Sequence, residues 1–238
     1  MQRSVAAVDA WAEFDGPIGT LYVAWGPAGI TTVERADDAA GFELDAMLRT
    51  GRPVSRVPRL PDDLADLITR QLAGEWQPGL PLDFGGLTAF ADATLRKTME
   101  IPWGEVRPYS WVAREIGRPR AVRAVGTALG NNPLPFVIPC HRVVRADGRV
   151  GEYGAGGPAA KRTMLLSEGV DPDALEALAD DGIRYLGDEA ASTFCYPTCR
   201  HVRGTDPQAR FRGAEDALDA GYGPCPDCRP VESAVFGF

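Results

Sequence analysis

The chain has 238 residues, 45% hydrophobic and 24% charged, with a net charge of −8. That length buries a sizeable core, in one large or two to three small domains. No apolar run approaches the roughly 20 residues that a membrane span needs. Met1-Gln2-Arg3-Ser4 leads into no long apolar stretch of the secretory kind. The expectation is a cytoplasmic, thiol-reducing setting with no membrane partner, where paired cysteines bind metal more readily than they form disulfides.

Net charge alone argues against nucleic acid, but its distribution does not. Residues 96–162 carry 12 basic and 5 acidic side chains, whereas residues 163–190 carry 1 and 8. A basic block inside an acidic protein is a local footprint for phosphate, although a solvated mixed-charge surface has the same composition.

Thr20–Trp25 and Ile30–Glu34 are β-rich runs joined by Gly26-Pro27-Ala28-Gly29, which predicts a hairpin entered through the turn Gly16-Pro17-Ile18-Gly19. Ala39–Leu48 and Asp62–Leu72 have amphipathic helical spacing, the second led in by Pro61. Leu80–Phe84 could add a strand. From Thr88 the chain turns helical to Glu100 and stops at Pro102-Trp103-Gly104. Ser110–Ile116 and Val122–Leu129 flank Gly117-Arg118-Pro119-Arg120, the pattern of a helix-turn-helix whose second helix reads DNA. Arg123 opens that helix, and Ala124, Gly126 and Ala128 would allow close approach to a duplex, as they would allow tight core packing. Beyond a turn at Ala146-Asp147-Gly148, the glycine-rich stretch Gly151–Gly157 suggests a mobile wall, and a helix is expected from Pro158 to Glu168. Acidic Asp171–Glu189 has the composition of a partly helical linker.

Five cysteines divide into four and one. Cys195-x3-Cys199 and Cys225-x2-Cys228, with 25 residues between the pairs, have tetrathiolate spacing, and zinc is the expected metal. A segment of such length buries little core, so metal would supply much of its folding energy. Cys140, in Ile138-Pro139-Cys140-His141-Arg142-Val143, has no ligand role and is the candidate nucleophile. His141 is its candidate base, and Glu168 could reach back to orient the histidine. A buried cysteine beside a satisfied histidine would leave the same pair in the sequence.

Arg123-Ala124-Val125-Gly126, Gly130-Asn131-Asn132-Pro133 and the segment around Cys140 strongly resemble the O6-alkylguanine-DNA alkyltransferases, and Ile101-Pro102-Trp103-Gly104-Glu105-Val106 and Tyr109 fit the same family. The resemblance covers about residues 10–170 and implies an α+β protein. Residues 1–87 would form a ribonuclease-H-like lobe and residues 88–170 a helical catalytic domain with the helix-turn-helix. Residues 171–190 would follow as an acidic linker and residues 191–238 as a zinc module. The family's activity is irreversible transfer of an alkyl group from O6-alkylguanine, and O4-alkylthymine, in double-stranded DNA to a cysteine. It uses no organic cofactor and acts as a monomer.

Carried over by motif, Cys140 is the acceptor, His141 a water-mediated base and Glu168 its orienting partner. Asn132 holds the turn presenting the active-site loop. Arg123 replaces the flipped nucleotide in the stack, with Ala124 and Gly126 on the same helix facing DNA. Tyr109 donates a proton or rotates a phosphate, and Val143, Tyr153 and Gly154 line the base pocket. The loop Tyr153-Gly154-Ala155-Gly156-Gly157 is one residue longer than usual, and Gly154 replaces a serine common there.

Phe194–Arg200 and Ala217–Cys225 resemble the metal-binding domain of the Ada protein, which implies Cys195 as a second methyl acceptor, for phosphotriesters. The alternative is a structural zinc clip with phosphate affinity through Arg200, Arg203, Arg210 and Arg212. A lesion-sensing DNA-binding protein or regulator is the competing function; retention of Cys140 is the feature against it.

Overall fold

The computed structural model describes residues 8–16, 19–204 and 209–231. Pro17 and Ile18 of the expected turn lie outside them. A four-stranded sheet begins the chain: β1 (Asp9–Gly16), β2 (Gly19–Gly26), β3 (Gly29–Arg35) and, after helix α1 (Ala39–Thr50), β4 (Val54–Arg56). Its order is β3-β2-β1-β4, antiparallel except for β1 with β4. Period-two alternation sends Tyr22 and Ala24 to a cluster with Trp11 and Phe42 of α1, and Leu21 and Val23 to the main core. Both faces are therefore covered.

Strands β1 and β4 do not stand out in the sequence. Asp9, Glu13 and Asp15 give β1 low strand propensity. A tertiary pair secures it: the buried Asp9 carboxylate accepts from Arg52 at 2.8 and 2.9 Å. The expected strand at Leu80–Phe84 reduces to one bridge between Ile30 and Leu82.

Helix α2 (Asp62–Leu72) covers the sheet with Leu64 and Ile68. Helix α3 (Ala89–Met99) is capped by Thr88, whose hydroxyl accepts from the Ala91 amide. The short strand β5 (Arg107–Pro108) leads into α4 (Tyr109–Glu115), and Gly117 at φ +69° turns the chain toward α5 (Val122–Gly130). β6 (Val143–Val144) pairs in parallel with β5, directly after a 3-10 turn at Cys140–Arg142, and α6 spans Gly157–Ser167.

The expected linker is a correction. Residues 171–190 contain α7 (Pro172–Asp180) and β7 (Tyr185–Asp188). Leu175 of α7 packs with Val106, Val144, Val150 and Leu165. Three of its acidic side chains pair with two arginines of the basic block: Arg149 reaches Glu176 at 3.1 Å and Asp180 at 2.6 Å, and Arg162 pairs with Asp173. Strand β7 lies inside a second sheet built with β8 (Thr193–Cys195), β9 (Ala209–Phe211) and, after α8 (Ala214–Asp219), β10 (Gly223–Pro224), in the order β10-β8-β7-β9. Acidity with Pro172 and Gly182 suggested a linker, whereas the apolar side chains Leu175, Ala179 and Leu186 are buried. Among the described residues, no helix is long and apolar enough to cross a membrane.

Candidate active site and four-cysteine cluster

Cys140 is 6% exposed, at the floor of a cleft of about 600 Å³ shared by β3, α1, Asn131–Asn132 and Gly154–Gly156. Asn132 ties this floor together. Its side-chain amide donates to the Cys140 Sγ at 3.1 Å and to the Ile138 carbonyl at 3.4 Å, while its oxygen accepts from the Leu134 amide at 3.0 Å. Burial pushes the Cys140 thiol above its ordinary pKa, opposed by the Asn132 bond and the charge of Lys161. The resting sulfur is a thiol.

His141 is fully buried, and its Nε2 lies 2.7 Å from Glu168 Oε1. Glu168 also accepts from Arg142 Nε at 2.8 Å, Arg142 Nη2 at 2.9 Å and the Gly104 amide at 3.2 Å. Burial alone would raise the Glu168 pKa, but the bonds from His141 and Arg142 outweigh it and hold the carboxyl below its usual value. Burial holds His141 below its ordinary value despite the Glu168 bond, so the ring rests neutral. A carboxylate only accepts, which assigns the ring proton to Nε2 and leaves Nδ1 as the bare base. Nδ1 has no protein partner among the described residues.

Tyr153 lies edge-on to His141, with ring centroids 6.3 Å apart, and burial drives its hydroxyl well above its ordinary pKa. Tyr109, half-buried, is raised chiefly by burial. Arg123 and Ala124 are exposed on α5, whereas Val125 and Leu129 face the core. The Gly126 position faces Tyr109: a Cβ there would meet its ring at 4.0 Å. The Val143 carbonyl accepts from Lys161 Nζ at 2.6 Å.

Two residues of this site had no role in the sequence reading. Lys161, 0% exposed, donates to the carbonyls of Val143, Val150 and Glu152, and burial lowers its pKa to about 8. Arg142 clamps Glu168 from the position next to His141. A helical signal existed for the first: Lys161, Met164, Leu165 and Glu168 share one face of α6 at spacings of three and four. The Gly154 departure also has a cause, because a Cβ there would stand 2.7 Å from the Gly130 carbonyl oxygen. Gly154→Ser is therefore expected to cost on the order of 1–3 kcal/mol through overpacking. An unchanged urea midpoint would show that the loop yields instead.

Residues 89–170 match the family described as 6-O-methylguanine DNA methyltransferase, DNA binding domain. A methylated-DNA–protein-cysteine methyltransferase of Mycolicibacterium paratuberculosis is 37% identical over 155 residues, 65% of this chain and 88% of that protein. The mouse methyltransferase of the same name is 45% identical over 83 residues, 34% of this chain and 39% of its own. The crystal structure of Mycobacterium tuberculosis OGT in complex with DNA aligns with a TM-score of 0.55 at 31% identity, covering 70% of this chain and 98% of that one. The chain belongs to the methylated-DNA–protein-cysteine methyltransferase family.

The family match ends at residue 170, short of the four cysteines. The Sγ atoms of Cys195, Cys199, Cys225 and Cys228 lie within 4.8 Å of one another and are all buried. Four sulfurs at about 2.3 Å from one ion would stand about 3.8 Å apart, so the cluster suits a metal. Cys195 is 0% exposed and belongs to the same core as Trp111. That burial disfavours the acceptor role implied by the Ada resemblance, since a triester methyl carbon must reach the sulfur. Nor are all the expected phosphate-binding arginines free: Arg200 pairs with Asp227 at 2.6 Å, and Arg203 donates to the Gly104 carbonyl at 3.1 Å.

The cluster is joined to the alkyltransferase region. The Trp111 indole donates to the Cys228 carbonyl at 3.0 Å, and Arg229 pairs with Glu115 at 2.8 Å. Arg107, paired with Glu105, lies over the rings of Trp111 and Tyr196.

Proposed function

We propose that this protein repairs O6-alkylguanine in double-stranded DNA by moving the alkyl group irreversibly to Cys140. The reading is carried by a buried Cys140, next in the chain to a neutral His141 with a bare Nδ1 and backed by a Glu168 carboxylate that Arg142 fixes. The thiol proton passes to Nδ1, through a bridging water as the family resemblance implies. The sulfur attacks the alkyl carbon, the S–C bond forms as C–O6 breaks, and the guanine retains the O6 electron pair and takes up a proton. Glu168 stabilises the imidazolium that forms. Tyr109 is assigned as donor to the departing base, and Val143, Tyr153 and Gly154 as the pocket wall. No base near Cys140 can cleave a thioether, so each molecule acts once.

The alkyl carbon lies within the duplex stack, so the nucleotide must be extruded, at a cost of a few kcal/mol. Exposed Arg123 at the start of α5 is suited to fill the gap, with Ala124 and Gly126 permitting close approach to the groove. We assign residues 1–87 as a ribonuclease-H-like lobe. Cys195, Cys199, Cys225 and Cys228 would hold zinc, whose role when bound is to cross-link the module.

The test is transfer of labelled methyl from O6-methylguanine duplex. One label per chain at Cys140, absent in Cys140→Ala, is expected. Tight lesion binding without transfer would make the chain a sensor instead. Zinc-loaded Cys140→Ala protein is further expected to take no label from methyl phosphotriester DNA; label at Cys195 would restore the acceptor role.

A further inference from the structure

The segment Gly104-Glu105-Val106 is held from the four-cysteine side at three successive residues. The Gly104 carbonyl accepts from Arg203 Nη1 at 3.1 Å. The Glu105 carboxylate accepts from the Arg200 amide at 3.2 Å, and the Val106 amide donates to Thr198 Oγ1 at 2.8 Å. All three partners flank one candidate ligand, Cys199, whose carbonyl accepts the amides of Val202 and Arg203 at 3.0 Å each. On its other side the same segment meets the catalytic carboxylate, because the Gly104 amide donates to Glu168 Oε2. Gly104 has φ +71°, and a Cβ there would collide with the Arg203 guanidinium and stand 2.9 Å from the Glu168 carbonyl oxygen. Only glycine fits between the two.

We propose that the four-cysteine module positions the catalytic carboxylate: Arg203 and Thr198 fix the Gly104–Val106 segment, and that segment keeps Glu168 aligned on His141. This inference rests on the alkyl-transfer reading and adds to it a route from the metal site to Cys140. Two bonded steps separate Arg203 from Glu168, and one more reaches the base. Arg203 and Thr198 are positioning residues, since neither touches the reacting sulfur. When the module is intact, the carboxylate has a full set of donors and the imidazolium formed on proton transfer has its counter-charge in place. When Arg203 or the metal is lost, the Gly104 peptide can turn and Glu168 gives up a donor. The other charged or titratable groups facing the relay are Arg142, beside His141 and over the Trp103 ring, Lys161 on α6, Tyr109 on α4 and Tyr153 with Glu152 on the preceding loop.

The experiment uses full-length zinc-loaded protein and free O6-benzylguanine, which needs no DNA contact. Single-turnover reaction of Cys140 is followed against pH for the wild type, Arg203→Ala, Thr198→Val and Arg203→Lys, with zinc content measured for each. The chain has only two histidines, so the ring protons of His141 can be titrated beside those of His201. Arg203→Ala is expected to react about tenfold more slowly, the effect of one weakened charge-assisted hydrogen bond. Its His141 titration should move to lower pH, because a less supported imidazolium forms less readily, and the acid limb of the rate profile, set by loss of the neutral base, should move down with it. Arg203→Lys, which retains a donor for the Gly104 carbonyl, should recover most of the rate. Thr198→Val should show the same displacement in smaller measure, and decides the matter if Arg203→Ala fails to fold. A zinc-loaded variant whose rate profile and His141 titration coincide with the wild type overturns the proposal, even if its thermal midpoint falls. A wild type that transfers nothing would overturn the alkyl-transfer reading instead.

Discussion

Glu168→Ala is expected to lower the unfolding free energy by about 3–5 kcal/mol, the usual cost of removing one partner from a buried ion pair. The side chain is almost wholly buried and accepts from His141, Arg142 and Gly104. Removing it strands the Arg142 guanidinium, whose Nη1 keeps only the Ile101 carbonyl at 2.7 Å. A typical domain has about 5–15 kcal/mol in total, so the variant should be visibly less stable at neutral pH. It should also transfer alkyl groups poorly, because nothing would then hold the ring proton on Nε2. Glu168→Gln keeps the shape but loses the charge, and should fall between. Urea titration provides the measurement; a loss below about 1 kcal/mol would place the pair among weak surface bridges and sink the argument.

The same network sets the acid response. The folded pKa of Glu168 lies below its ordinary 4.5, so its contribution is present above that value and is lost as pH falls through the folded one. His141 is also depressed, from 6.5. Its stability is in place above 6.5 and declines below it, because the unfolded chain binds the proton first. Both signs agree: the urea midpoint should drop on acidification from neutrality, His141 contributing first and Glu168 later.

Removing the metal proposed for the four-cysteine cluster is the second large effect. Structural zinc in thiolate sites supplies an apparent ~10–16 kcal/mol, comparable with the whole stability of a domain. Chelation, or Cys228→Ser, is therefore expected to unfold the second sheet, and the damage should not stop there. Trp111 and Arg114 of α4 both donate to carbonyls of the 228–230 segment, and Tyr196 and Val202 share the core with Trp111. Hydrogen exchange should show α4 amides and the Trp111 indole losing protection together with the module. If α4 keeps its protection while all four thiols become reactive, the module is an independent appendage and its contacts with the catalytic region are incidental.

Much of the catalytic region was legible before folding. The span of α3 follows from its Thr88 cap and the Pro102-Trp103-Gly104 stop, and helices α4 and α5 from two short apolar periods around Gly117. Cys140 was singled out by elimination, since the other four cysteines have metal-ligand spacing. These signals work because caps, turns and periodicity act over a few residues. Strand β1 was missed because its acidic residues oppose the local preference that an Arg52 pair overrides. Residues 171–190 read as a linker from their acidity, Pro172 and Gly182, because the few apolar side chains that bury them, Leu175 and Leu186 among them, are identified only by their tertiary partners.

What the sequence by itself determined is a set of chemical groups at known spacings: a thiol beside an imidazole, a carboxylate ending a helix, four further cysteines in two pairs. Tertiary structure decided how those groups are used. Glu168 lies 27 residues from His141 and 64 from Gly104, and only chain closure brings them within 2.7 and 3.2 Å. Lys161 became a buried clamp, Arg142 a counter-ion, and Cys195 a core residue, none of which residue type or spacing could settle. The physical reason is that pKa and reactivity depend on desolvation and on which charges stand within a few ångströms, and those are properties of the packed interior.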